Sequence, residues 1–176
     1  RPLQDFADGL NVQLDSGKVD LDKPFSITVD GYLTKDGRLD IKRTRVTKSE
    51  GDRQMVEIAK QAVEAVSDSN ILSYLQQLGV EKVKIVFSQN ESEVQASIVS
   101  EMPTEEKART ISSGLSGLFA IAKFSVKGET EKTLLNAVMI QPQNKNCTIN
   151  FAMPKEEAHR ILKNELQKRK EKSYSN

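Results

Sequence analysis

A repeat with an offset of 51 residues is the feature of this sequence that most restricts its fold. The segment 102–106, Met-Pro-Thr-Glu-Glu, recurs at 153–157 as Met-Pro-Lys-Glu-Glu. The same offset matches positions on both sides of this segment: Ala96 with Cys147, Ile98 with Ile149, Arg109 with Arg160, and Ile111 with Leu162. In each copy, alternating apolar residues precede the shared segment and helical spacing follows it, so each copy predicts two strands and then a helix.

The two copies together predict one α+β unit. Strands are expected at 83–87, 94–100, 134–140 and 147–151, and helices at 105–123 and 156–170. Two such units form a four-stranded antiparallel sheet with both helices on one face. The alternative to duplication is that Met-Pro-x-Glu-Glu is an ordinary helix start, because proline and acidic residues are favourable in the first turn of any helix.

Residues 25–80 predict a β-hairpin followed by helices. Apolar residues alternate strictly over 25–29, Lys35-Asp36-Gly37 supplies a turn in which glycine can adopt positive φ, and apolar positions at 39, 41 and 46 continue into a second strand. Ser49 and Asp52 resemble a capping box for an amphipathic helix from Met55 to about residue 66. A second short helix is expected over 71–78 and should end at Gly79.

The sequence therefore divides into three segments. Residues 1–24 are interpreted as an irregular N-terminal arm, because several aspartates and the turn Asp15-Ser16-Gly17 disfavour a long strand. Residues 25–80 form the hairpin and helices, and residues 81–176 form the repeated unit.

Composition excludes several classes of function. The 26 basic and 25 acidic residues leave a net charge of +1, which gives no field for general nucleic-acid binding. A single cysteine, Cys147, and a single histidine, His159, exclude an internal disulfide, a thiolate metal cage and a site with several histidines. The longest apolar run, 118–122, is too short to enter a membrane as a span.

No motif predicts a catalytic residue or a cofactor. Neighbouring acids such as Glu105 and Glu106 point about 100° apart on a helix and cannot converge on one bond. His159 has no Gly-x-Ser-x-Gly motif to partner it, and Cys147 shares a strand face with Ile149, which predicts a buried and unreactive thiol. The sequence thus predicts no catalytic, cofactor-binding or metal site, and an enzyme whose acid and base groups meet only in the folded chain is one alternative.

Residues 25–87 resemble the C-terminal domain of TonB-type energy transducers. The segments that carry the resemblance are Phe-Ser-Ile-Thr-Val-Asp-Gly at 25–31, Lys-Asp-Gly-Arg-Leu at 35–39 and Val-Thr-Lys-Ser-Glu-Gly-Asp at 46–52, followed by the helix from Met55. In that family a strand ending near glycine, a glycine turn, a strand and an amphipathic helix follow in this order. The second half of the chain is not assigned to a family.

The resemblance implies a non-catalytic module of the periplasm or cell envelope that serves energy transduction or transport. Its partner would be a protein or extended peptide, such as part of a membrane protein complex, that adds a strand to an open sheet edge. A further alternative is an accessory structural subunit of a larger, membrane-associated complex. A large apolar surface patch would favour the subunit, an open polar edge the peptide binder, and a deep pocket with perturbed acids the enzyme.

The predicted binding edge is the strand near 41–46. Basic residues cluster there, and the candidate partner-binding residues are Ile41, Arg43 and Arg45. The alternative is that these charges only protect an exposed edge from aggregation.

Overall fold

The computed structural model describes residues 1–175. Its elements follow the chain in this order: α1 (Pro2–Asp15), β1 (Phe25–Tyr32), β2 (Arg45–Gly51), α2 (Arg53–Asp68), α3 (Ser73–Gln77), β3 (Lys82–Gln89), β4 (Glu93–Glu101), α4 (Glu105–Ser125), α5 (Glu129–Asn136), β5 (Val138–Gln143), β6 (Asn146–Pro154) and α6 (Lys155–Tyr174).

The strands form a single six-stranded sheet in the order β2-β1-β3-β4-β6-β5, and every neighbouring pair is antiparallel. The predicted α+β class is therefore confirmed. Because β1 pairs with β3, the hairpin segment and the repeated segment share one sheet rather than forming two.

One face of the sheet is apolar and carries the helices. Phe25, Ile27 and Val29 of β1 are buried on this face, while the residues between them are only half-buried. Side chains on adjacent strands continue this pattern, since directly paired residues share a face. A single hydrophobic core joins this face to buried residues of α1, α2, α4 and α6. We call the opposite face, which carries Ser26, Thr28 and Asp30 of β1, the polar face.

The central strand pair of the repeated half, β4 with β6, has local two-fold symmetry. In the pairing of β4 with β6, Ile98 lies opposite Ile149, Ala96 opposite Phe151 and Ser100 opposite Cys147. The 51-residue offset matches 98 with 149, 96 with 147 and 100 with 151, so exchanging the two copies leaves the pairing unchanged. This is the geometry that a duplication predicts, and α4 and α6 follow β4 and β6 on the same sheet face.

The expected irregular arm is wrong for residues 2–15, which form α1. Pro2 lies in its first turn, and Leu10 and Asn11 are buried where the helix packs on α2 and α6. The Asn11 side chain donates a hydrogen bond to the carbonyl of Leu166, and Asp8 pairs with Arg169 at 2.9 Å. These contacts come from the far end of the chain, so the local sequence did not reveal them.

The second hairpin strand begins at Arg45, not at residue 39. Leu39 makes only an isolated bridge to Leu33, and the chain then turns at Asp40. The Asp40 carboxylate accepts the N–H of Lys42 at 2.9 Å, a local bond that competes with strand pairing. The expected cap at Ser49 is wrong, because β2 continues to Gly51 and Asp52 caps α2 by accepting the N–H of Met55.

The strand expected at 134–140 is also partly wrong. Residues 129–136 form α5, and β5 starts only at Val138. Two acidic residues, Glu129 and Glu131, lie in the first turn of α5, where they favour a helix over a strand.

Candidate functional site

The two outer strands, β2 and β5, are the places where this sheet could accept another strand. The β5 edge is blocked. The N–H of Ala152 donates to the carbonyl of Ala137, so these two residues form a hydrogen-bonded pair. Bonded and non-bonded pairs alternate along an antiparallel ladder, and Pro142 with Cys147 is therefore a non-bonded pair. The backbone of β5 at Pro142 faces away from the sheet. Proline offers no N–H at that point, and the outward carbonyl of Ile140 accepts a hydrogen bond from Ser116 of α4 at 3.4 Å.

The β2 edge is open. All seven of its residues are exposed. The N–H of Asp52 donates to the carbonyl of Pro24 at 3.0 Å, one step beyond the last pair of β2 with β1. Bonded pairs alternate with non-bonded ones, so counting back from Asp52 makes Glu50 and Lys48 hydrogen-bond to β1. Ser49 lies between them in a non-bonded pair and directs its N–H and carbonyl away from the sheet.

The three candidate residues lie close together in sequence but differ in their surroundings. Ile41 is 91% exposed in the loop 33–44 that connects β1 to β2. Arg43 is held by a 2.9 Å ion pair with Asp40 and lies over the ring of Tyr32, 4.7 Å from its centroid. Arg45 is the first residue of β2. The open edge thus includes Arg45, while Ile41 and Arg43 flank it in the loop.

The ion pair with Arg43 influences the protonation of Asp40. The hydrogen bond from Arg43, together with the backbone N–H of Lys42, lowers the pKa of Asp40 below its usual value. The pair with Arg43 therefore persists to lower pH than an ordinary aspartate would allow, and in it Arg43 lies beside Tyr32.

A cavity of about 560 Å³ lies beside β2, between the loop 33–44 and the side of α2 that carries Lys60, Glu64 and Asp68. Ile41 and Val46 contribute apolar side chains, and α2 contributes the charged side chains of Lys60, Glu64 and Asp68. Sequence reasoning missed these α2 residues. Their four-residue spacing placed them on one side of the helix, but which side faces β2 depends on how α2 packs.

A second concave surface lies on the helical face between α2 and the centre of β3, β4 and β6. It has a volume of about 280 Å³ and is lined almost only by apolar groups, including Val66, Phe87, Ile98 and Phe151. Separately, the C-terminal half of α4 exposes three large apolar side chains: Leu118, Ile121 and Phe124.

The one histidine has a structural position. His159 Nε2 lies 2.7 Å from the side-chain oxygen of Gln89, and its Nδ1 lies 3.3 Å from the carboxylate of Asp22. Burial lowers the pKa of His159 below its usual value, and the exposed Asp22 opposes this only in part. Within residues 1–175, no group of three or more histidine, cysteine, aspartate or glutamate side chains is arranged to hold a metal ion.

Cys147 lies on β6 and is buried, as its phase with Ile149 predicted. We expect its thiol to react with a neutral disulfide reagent at least about a hundredfold more slowly in the native protein than in urea, because reagent access requires the sheet to open. Absorbance of the released chromophore measures both rates. Comparable rates in the two conditions would contradict the buried position.

The comparisons with known proteins leave the site to be interpreted from its own geometry. No family model, curated protein or solved structure matches this chain. Among the helices described between residues 1 and 175, none combines the length and the apolar character needed to cross a bilayer.

Proposed function

We propose that this protein is a non-catalytic interaction module that binds an extended segment of a partner protein by strand addition to β2. The observation that carries the proposal is the difference between the two sheet edges. β2 is exposed over its whole length and directs the backbone of Ser49 outward, whereas Pro142 and Ser116 close the β5 edge.

Strand addition would use the backbone for affinity and the flanking surfaces for selectivity. The N–H and carbonyl of Ser49 supply one bonded pair to the incoming strand. Each such hydrogen bond contributes about 1 kcal/mol net, so side-chain contacts must supply the rest of the affinity. The cavity beside Val46 and Ile41 is placed to accept side chains that the added strand directs towards α2.

The cellular setting that we propose rests on the resemblance of residues 25–87 to TonB C-terminal domains. We propose a periplasmic or cell-envelope location and a role in energy transduction or transport, with a membrane protein complex as the source of the partner segment. The order of the resembling elements, a strand, a glycine turn, a strand and a helix, supports this setting.

Replacing Ser49 by proline is expected to weaken peptide binding about fivefold or more while the fold is retained. Proline removes the outward N–H and leaves the β1–β2 bonds in place, and an exposed edge strand tolerates it. Peptides selected on the wild-type protein from a random display library serve as probes, with affinity measured by fluorescence anisotropy. Ser49→Ala is the matched control, because it removes the hydroxyl but keeps the N–H.

Hydrogen exchange gives an independent test of the same proposal. In the complex the Ser49 amide should become protected, whereas the Lys48 and Glu50 amides are already protected in the free protein by their bonds to β1. Equal affinity of Ser49→Pro and Ser49→Ala, with no change in Ser49 exchange, would remove strand addition at β2.

An accessory subunit is the second candidate, because the chain exposes apolar surface. Phe124 is 92% exposed, and Ile121 lies one helical turn before it on α4. Contiguous exposed apolar side chains are typical of permanent interfaces. If this candidate is correct, Ile121→Ser would release the protein from its native complex, whereas Ser49→Pro would leave that complex assembled.

A further inference from the structure

We propose that the segment that adds to β2 carries acidic and apolar residues at alternating positions. This inference rests on the strand addition proposed above and names the chemistry of the partner. Its first basis is charge. Residues 33–48 contain six basic and two acidic side chains, a net charge of +4, in a chain whose total is only +1.

Among the described residues, two of the positive side chains at the edge make no ion pair, and a third makes a weak one. The Arg45 guanidinium donates to the backbone carbonyl of Thr44, and within residues 1–175 neither Arg45 nor Lys42 has a carboxylate oxygen within 4.0 Å. Lys48 makes one ion pair, with Glu50 at 3.5 Å, in which both side chains are more than half exposed. Exposed pairs of this kind contribute little, so Lys48 can exchange partners at small cost.

The register of β2 decides which side of an added strand meets these charges. Arg45 pairs with Asp30 and Lys48 with Thr28, which places both side chains on the polar face of the sheet. Val46 pairs with Val29 and so lies on the helical face, where it lines the cavity with Ile41. The residue between Val46 and Lys48, Thr47, is the extra residue of a β-bulge, which explains why Arg45 and Lys48 share a face although three positions separate them.

The incoming strand must alternate in the same way. Its side chains point to opposite faces in turn, so those next to Val46 enter the apolar part of the cavity and their neighbours face Arg45 and Lys48. Cross-strand pairs of opposite charge stabilise a sheet and like-charged pairs destabilise it. A strand with apolar residues on one side and carboxylates on the other satisfies both surfaces.

Three synthetic heptapeptides test this inference by fluorescence anisotropy. The first alternates valine and glutamate, beginning and ending with valine. The second replaces each glutamate by lysine. The third has the composition of the first but groups its four valines before its three glutamates. We expect the alternating acidic peptide to bind at least about tenfold more tightly than either of the others, and to lose affinity as NaCl is raised from about 50 to about 500 mM.

Charge-neutralising variants locate the contact. Arg45→Gln and Lys48→Gln should each weaken the alternating acidic peptide about threefold. Lys107→Gln, which removes the same charge from α4 away from β2, is the matched control and should leave the affinity unchanged. Equal effects of all three substitutions would mean that only the net charge matters, and would overturn the inference.

The outcomes separate this inference from the proposed function. Equal affinity for the acidic and basic peptides, with both lost in Ser49→Pro, would overturn the acidic preference and leave strand addition standing. Binding of the acidic peptide that is unchanged in Ser49→Pro would overturn strand addition itself. No binding of the acidic peptide would overturn the inference. A protein dimer that Ser49→Pro disperses would show that β2 recognises a second copy, and would likewise overturn it.

Discussion

Replacing Ile27 by alanine is expected to lower the free energy of unfolding by about 4 kcal/mol. Ile27 is fully buried on β1, the strand that lies between β2 and β3, and its side chain belongs to the core that joins the sheet to the helices. Alanine buries less apolar surface and also leaves a cavity that paired strands cannot close by moving, so the two losses add. Urea denaturation followed by circular dichroism measures the loss.

Ile41→Ala is the matched control, since it makes the same chemical change at a side chain that is 91% exposed. It should alter the free energy of unfolding by less than about 0.5 kcal/mol. Because Ile41 lines the cavity beside β2, the same variant should weaken peptide binding, which separates a binding role from a stability role. A loss of less than about 1 kcal/mol for Ile27→Ala, with an unchanged urea dependence, would contradict the packing described for β1.

Replacing Gly37 by alanine is expected to cost about 3 kcal/mol or more. Gly37 has a φ of +76°, a conformation that costs a residue with a Cβ about 1 kcal/mol. Steric overlap costs more than this, because an added Cβ would overlap the backbone of Ser73 at the start of α3. The loop and α3 would have to separate, so thermal and urea unfolding should both detect the change.

Gly79→Ala is the matched control for this substitution. Gly79 also has positive φ, at +89°, but an added Cβ would meet no atom within 4 Å. It should therefore cost only the strain of the positive φ, about 1 kcal/mol. Because Gly37 holds the loop that forms the cavity beside β2, peptide binding should fall in Gly37→Ala and persist in Gly79→Ala. Equal losses of stability in the two variants would show that the contact between Gly37 and Ser73 is not close.

Local signals in the sequence were sufficient for much of the repeated half. Period-two alternation located β3, β4 and β6 within two or three residues at each end, and the Met-Pro-x-Glu-Glu segments marked the starts of α4 and α6. These signals work because strand faces and helix starts depend on residues a few positions apart. They failed for α1, whose buried positions face α2 and α6, and for the start of β2, where the Asp40 side chain turns the chain away from the sheet.

The candidate site divides in the same way. The sequence by itself determined the excess of positive charge around 41–48, from which Ile41, Arg43 and Arg45 were predicted as partner-binding residues. The alternation there wrongly extended the strand to residue 39, and of the three residues only Arg45 lies on β2. Only the tertiary structure decided that β2 is the open edge, that Ser49 faces outward, and that α2 forms one wall of the cavity. The reason is physical: an edge is defined by which strands lack a neighbour, and strand order is set by pairings between residues far apart in the chain, which no local periodicity encodes.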